Sequence, residues 1–306
     1  MADEISRVAV LGTGTIGASW AANFLAQGLD VCVSDPAPAA EEFLHRFVDN
    51  AWPTLEALGL KPGADPGRLR FVANPIEAVE GAEFVQENGP ERLPVKVALF
   101  EQVSRAMPPG AIIASSSSTL LPTAMQARCT HPERLLLGHP FNPPHLIPLV
   151  EVCGGERTSA EALERAMAFY KQVGKHPILL KKEMPGHVSN RLQSALWREA
   201  AYLVEQGVVD VADVDAAVAM GPGLRWALMG PILTFHLGGG AGGLGYLMEH
   251  IDVSTLWPGL GTPAMTDGFK QALIAGVEAE AGGRSIDELA RERDRRLLAL
   301  LKAIGG

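Results

Sequence analysis

VAVLGTGTIGASWAANFLAQ, residues 8–27, is the stretch that decides the fold. Residues 8–11 form a short apolar run typical of a strand buried on both faces of a parallel sheet. Gly12, Thr13, Gly14, Thr15, Ile16 and Gly17 follow, and then a helical stretch closed by Gly28. In such a strand–turn–helix unit the first glycine permits the tight turn. The second lets backbone approach a pyrophosphate, and the third lets helix and strand pack closely. The helix start offers free N–H groups and the positive end of a dipole to the phosphates. A second strand over 31–34 ends at Asp35, placed to accept hydrogen bonds from the adenosine ribose. Its carboxylate would repel a 2′-phosphate, and residues 35–40 (DPAPAA) supply no Arg or Lys to welcome one. The unit therefore predicts a Rossmann-type domain that binds NAD rather than NADP.

The pattern continues outward from this unit. Phe71-Val72 precedes a short helix, residues 83–86 read as a strand, and 94–107 as a helix. A strand over 111–115 leads into the serine run Ser115 to Ser118, beyond a strand's carboxyl end, where open α/β sheets bind ligands. A second switch to helix is expected after Val173-Gly174, with a last strand over 178–181. Together these predict an α/β chain: a dinucleotide-binding Rossmann domain over 1–185, then a smaller all-α domain over 186–306 for substrate and dimerisation. From residue 188 onward Leu192, Leu196, Ala200 and Leu203 recur at helical spacing. Asp213 opens another helix, and Ser285-Ile-Asp-Glu288 is a capping-box pattern.

Composition narrows the function. The 306 residues are 47% hydrophobic and 20% charged, ordinary for a globular protein, and the length favours two domains. A formal charge of −9 disfavours nucleic acid and anionic membranes as partners. No secretory signal and no membrane span are visible. Cys32, Cys129 and Cys153 have no CxxC spacing, so neither a disulfide framework nor a metal site is expected. A cytoplasmic location fits these features.

HPFNPPHLIPLVE, residues 139–151, carries the chemistry. Its ends could lie roughly 40 Å apart if extended. Asn142-Pro143-Pro144 is a place for a chain reversal, with short buried strands over 135–137 and 147–152. Folded so, the imidazole of His139 and the carboxylate of Glu151 can meet.

The order GTGTIG, Asp35, the serine run, HPFNPP…LVEV and PGHVSNRL (185–192) resembles the L-3-hydroxyacyl-CoA dehydrogenase family. The segments GPGLRWALMGP (221–231) and GRSIDELARERD (283–294) look more like a subgroup acting on free acids of the carnitine and L-gulonate type. The resemblance implies His139 as the catalytic base, Glu151 as the acid that orients it, and Ser118 as a contact to the substrate oxygen. Asn142 and Asn190 match residues that hold substrate beside the nicotinamide. Glu91 and Lys96 match positions lining the cofactor, and Ser116 stands where the family usually has a nicotinamide-contacting Asn. It also implies a homodimer. The chemistry agrees: oxidising a secondary alcohol requires removal of a hydroxyl proton as hydride leaves, and histidine titrates in the range to take it. Neutral donors such as Ser118 and Asn142 can hold the oxygen as its charge changes.

Residues 41–70 carry four basic and five acidic side chains, too little positive charge for the phosphates of CoA, so a free 3-hydroxy acid is expected. Proline and glycine are expected to break the helix there. Arg225 could pair with the substrate carboxylate and Trp226 with a quaternary ammonium. His131, His145, His176, His187, His236 and His250 read as structural or surface residues, with His145 and His187 edging the pocket. A 3-hydroxyacyl-CoA dehydrogenase is the alternative enzyme, and an NAD-binding structural protein of crystallin type is the non-enzymatic one.

Overall fold

A computed structural model of the chain describes residues 4–250 and 259–304. The chain divides into two compact units: Met1–Asn190 with Asp294–Lys302, and Arg191–Arg293 with Ala303–Gly306.

The first unit is built on an eight-stranded sheet. In chain order it holds β1 (Arg7–Leu11), α1 (Thr15–Ala26), β2 (Asp30–Ser34), α2 (Ala40–Leu58), β3 (Leu69–Val72), α3 (Pro75–Val79) and β4 (Phe84–Glu87). Then come α4 (Leu93–Ala106), β5 (Ile112–Ser115), α5 (Pro122–Met125), β6 (Leu135–Pro140), β7 (Leu149–Gly154), α6 (Ala160–Gln172) and β8 (His176–Leu179). The strand order is β3-β2-β1-β4-β5-β6-β7-β8. Every neighbouring pair is parallel except β6 and β7, which run antiparallel. This is the doubly wound α/β architecture expected from the first 35 residues.

The apolar run of β1 is continuous because both of its faces are covered. Val8 and Val10 join a core with Trp20 and Phe24 of α1, Leu44 and Val48 of α2, and Phe169 and Tyr170 of α6. Ala9 and Leu11 face the other core, with Val79 of α3, Phe100 and Val103 of α4, and Met125 of α5. The order reverses between β1 and β4, the switch point where such sheets take their ligands. There Gly12 has φ +93°, and a Cβ on it would lie 2.8 Å from the Asn88 carbonyl oxygen. A Cβ on Gly17 would overlap the Gly12 carbonyl. Only hydrogen lets that turn close.

Three expectations about elements need correction. Pro53 does not break a helix: α2 runs unbroken through it and ends at Gly59. Proline in a helix interior removes one backbone bond, but the buried stripe Leu44, Val48, Ala51 and Leu55 holds the helix to the sheet. The last strand is His176–Leu179 rather than 178–181, and the element beside Val173-Gly174 is the end of α6. The strands around the proline turn are Leu135–Pro140 and Leu149–Gly154, so His139 lies within the first.

Beyond Asn190 the described elements are helical. α7 (Ser189–Glu205) is followed by α8 (Val211–Met220), α9 (Pro222–Trp226), α10 (Pro231–Gly238), α11 (Gly243–His250), α12 (Asp267–Ala281) and α13 (Ile286–Ile304). The capping box forms before α13. The Glu288 amide donates to Ser285 Oγ (3.2 Å), and the Ser285 amide donates to Glu288 Oε2 (2.8 Å). No described helix is long and apolar enough to cross a membrane.

Candidate active site

The antiparallel pairing of β6 and β7 sets His139 directly opposite Glu151. Side chains directly opposite on such a pair share a face of the sheet, so the imidazole and the carboxylate must meet. His139 Nδ1 lies 2.8 Å from Glu151 Oε2, and both side chains are buried. The other carboxylate oxygen, Oε1, accepts the backbone amides of Val188 (2.8 Å) and Ser189 (2.9 Å), at the start of α7. A helix start favours an anion through its free amides and dipole. Burial by itself would raise the Glu151 carboxyl. The bonds from His139, Ser189 and Val188 outweigh it and bring the group down to about 2.

That carboxylate is ionised at neutral pH and can only accept. The proton between them therefore sits on His139 Nδ1.

The reversal between the strands is pinned from three directions. A cis bond joins Asn142 to Pro143. Ser19 Oγ of α1 accepts the His145 amide (2.9 Å) and bonds its ring Nδ1 (2.8 Å), and Phe47 of α2 meets that ring edge-on. Lys175, brought down to about 7 by burial, donates from Nζ to the Pro144 carbonyl. His145 is thus a structural residue.

The serine run lies at the end of β5, between the dyad and the glycine turn. Ser116 Oγ accepts from Gln86 Nε2 (2.8 Å) and donates to Asn88 Oδ1 (2.7 Å). Ser117 Oγ donates to Glu91 Oε1 (2.6 Å), which also accepts from Thr119. Burial opposes ionisation of Glu91, but these bonds and the nearby Lys96 lower its pKa. Lys96 is buried and donates to both oxygens of Glu87 (2.7 and 2.8 Å) and to the Gly89 carbonyl (3.2 Å). Ser118 and Asn142 are exposed, and Asn190 is half-buried in the first turn of α7.

The residues read as a dinucleotide cradle fit one. Gly14 precedes the twelve-residue α1, and nothing lies within 4 Å of where its Cβ would stand. Thr15 and Ile16 open that helix. Asp35 follows β2 and accepts the amides of Thr13 and Ala37 (2.8 Å each), which fixes its carboxylate beside the glycine turn. Arg225 and Trp226 are exposed at the end of α9, in the second unit.

Glu87, the partner of Lys96, carried no signal that sequence reading used; a buried acid nine residues before a buried lysine is the trace it left. His187 is the other omission. Expected as a structural or surface residue edging the pocket, it is buried, with its ring centroid 5.0 Å from that of His139.

Comparison with known proteins follows the same lines. Residues 7–184 match the family described as 3-hydroxyacyl-CoA dehydrogenase, NAD binding domain, and residues 186–259 its C-terminal domain. The chain is 48% identical over 305 residues to the L-carnitine dehydrogenase of Streptomyces coelicolor, covering 99% of this chain and 96% of that protein. Against the L-carnitine dehydrogenase of Pseudomonas aeruginosa it is 48% identical over 303 residues, 98% of this chain and 94% of that one. Among solved structures, 5-formyl-3-hydroxy-2-methylpyridine 4-carboxylic acid 5-dehydrogenase, an NAD+-dependent dismutase, superposes with a TM-score of 0.84 at 32% identity, covering 99% of both chains.

The Glu151 environment predicts a pH dependence. A carboxyl at about 2 in the folded chain, against an ordinary 4.5, contributes stability that is complete above about 4.5. That contribution is lost as pH falls toward 2. From wild type to E151Q, urea unfolding between those two limits should show wild type losing on the order of 2–3 kcal/mol more than the variant. Parallel loss in the two proteins would contradict the assigned environment.

Proposed function

Because the chain belongs to the 3-hydroxyacyl-CoA dehydrogenase family, and is an NAD-dependent oxidoreductase acting on a 3-hydroxy acid, we propose that its substrate is free L-carnitine and that His139 is the base. The observation that supports the base is the buried contact between His139 Nδ1 and a Glu151 carboxylate already held by two helix amides. In this reading Nε2 takes the proton of the 3-hydroxyl. Glu151 fixes the tautomer beforehand and stabilises the imidazolium afterwards. The bound dinucleotide supplies the hydride acceptor. Ser118 and Asn142 donate to the substrate oxygen, with Asn190 beside them. Gly12, Gly14, Thr15, Ile16, Gly17 and Asp35 hold the dinucleotide, Ser116 contacts its nicotinamide end, and Glu91 and Lys96 set the wall of the cofactor site.

Relatives near half identity over almost the whole chain support carnitine. The surface read as short of charge for CoA supports a free acid. Three of its four basic residues are engaged by acids: Arg46 with Glu42 (3.7 Å), Arg68 with Asp30 (2.9 Å), and Arg70 with Glu77. Arg225 is assigned to the substrate carboxylate and Trp226 to its quaternary ammonium, on the chemistry of their side chains.

The second proposal is a homodimer. On α7 the helically spaced Leu192 and Leu196, and Trp197 beside them in sequence, are exposed in the single chain. In the second unit Met220, Leu228, Ile232 and Met248 are about 70% exposed. So many large apolar side chains exposed on one unit suit a surface that associates with a second copy.

With NAD, turnover is expected on L-carnitine in preference to L-gulonate, L-3-hydroxybutyrate and its CoA ester. H139A should lower kcat by about a thousandfold with NAD affinity retained. Preference for the CoA ester would overturn the substrate, and an active H139A the base. Equilibrium sedimentation should give a mass of two chains; a single-chain mass at micromolar concentration would remove the dimer.

A further inference from the structure

His187 is the one described non-glycine residue with positive φ, at +53°. The left-handed region is unfavourable for an L-residue, and such outliers persist only where their surroundings hold them. Three contacts hold this one. Its amide donates to the Met184 carbonyl (2.9 Å), its ring Nε2 lies 3.0 Å from the Ser117 carbonyl, and its ring packs on His139 at a 52° tilt. The side chain is 1% exposed. A carbonyl only accepts, so Nε2 carries a proton. Burial lowers the His187 pKa, against the opposing effect of the bond to the Ser117 carbonyl. The two residues after it are Val188 and Ser189, whose amides bind Glu151.

From this arrangement we propose that His187 is a positioning residue for the His139–Glu151 pair, turning the α7 amides onto Glu151 with its backbone and tying the pair to the Ser117 carbonyl with its ring. The inference rests on the reading of His139 as base. Its backbone aims the carboxylate, and its tilted ring lies against the imidazole. Through Ser117 it joins both to Glu91, whose carboxylate binds the Ser117 hydroxyl. Base, orienting acid and strand-end serines thereby move as one body, although they come from β5, β6, β7 and the start of α7.

The test is a series at this position, assayed with NAD and L-carnitine beside H139A. H187F keeps an aromatic ring, slightly larger, loses the bond to Ser117 and suits the left-handed backbone less well. H187N suits that backbone but is too short to reach Ser117. H187Q places an N–H donor at the reach of Nε2. Phe and Asn should each lower kcat by about tenfold or more, the scale of one net hydrogen bond, with KM for NAD unchanged. Gln should recover most of that loss. Wild-type kcat in both H187F and H187N overturns the inference, as does a loss in H187Q equal to theirs. If H187F does not fold, the Asn and Gln comparison decides alone. An inactive H139A beside an unaffected position 187 removes this inference only, whereas an active H139A removes the base and this inference with it.

Discussion

The site depends on one carboxylate with two commitments. Glu151 gives Oε2 to His139 and Oε1 to the first amides of α7. Either bond alone would leave a buried charge half satisfied, which is costly. Together they make ionisation favourable in a place where burial opposes it. The consequence is directional, because an anion that cannot donate dictates which nitrogen of the facing imidazole bears the proton. The β6–β7 register, the proline turn and the left-handed residue before α7 all serve to bring those three partners to one point.

The same logic recurs around the site. Polar groups near the strand ends are satisfied by bonds that cross between elements. Lys96 is buried with Glu87, to which Ser115 also donates (2.6 Å). Tyr170 of α6 donates to Gln86 (2.7 Å), which in turn donates to Ser116. Buried polar groups are tolerated when every member of the network is paired, and such networks fix geometry more than they add stability. The loops that would hold the dinucleotide and the proposed base are therefore braced by the same sheet.

What could be read from the sequence was what is local. The unit from β1 to Asp35 follows from glycine geometry and apolar periodicity within 35 residues. The meeting of His139 with Glu151 was legible because a proline-rich reversal between two apolar runs has few ways to fold. The capping box at Ser285 is likewise a four-residue pattern. What escaped depends on partners distant in sequence. α2 survives Pro53 because its buried stripe meets the sheet, which outweighs local propensity. His187 looked like a rim residue because its partner, the Ser117 carbonyl, lies 70 positions away. Histidine is commoner than most residues at positive φ, but that tendency is too weak to announce a left-handed backbone by itself. Ser19 and Lys175, which pin the turn, were silent for the same reason.

The central claim is that Glu151 holds His139 with the proton on Nδ1 and Nε2 bare. Long-range proton–nitrogen NMR on histidine-labelled protein reads this directly at about pH 8.5, above the ordinary histidine range. The wild-type His139 ring is expected to be protonated at Nδ1 with an unprotonated Nε2, a pattern lost in E151Q. A ring carrying its proton on Nε2 in the wild-type chain would contradict it.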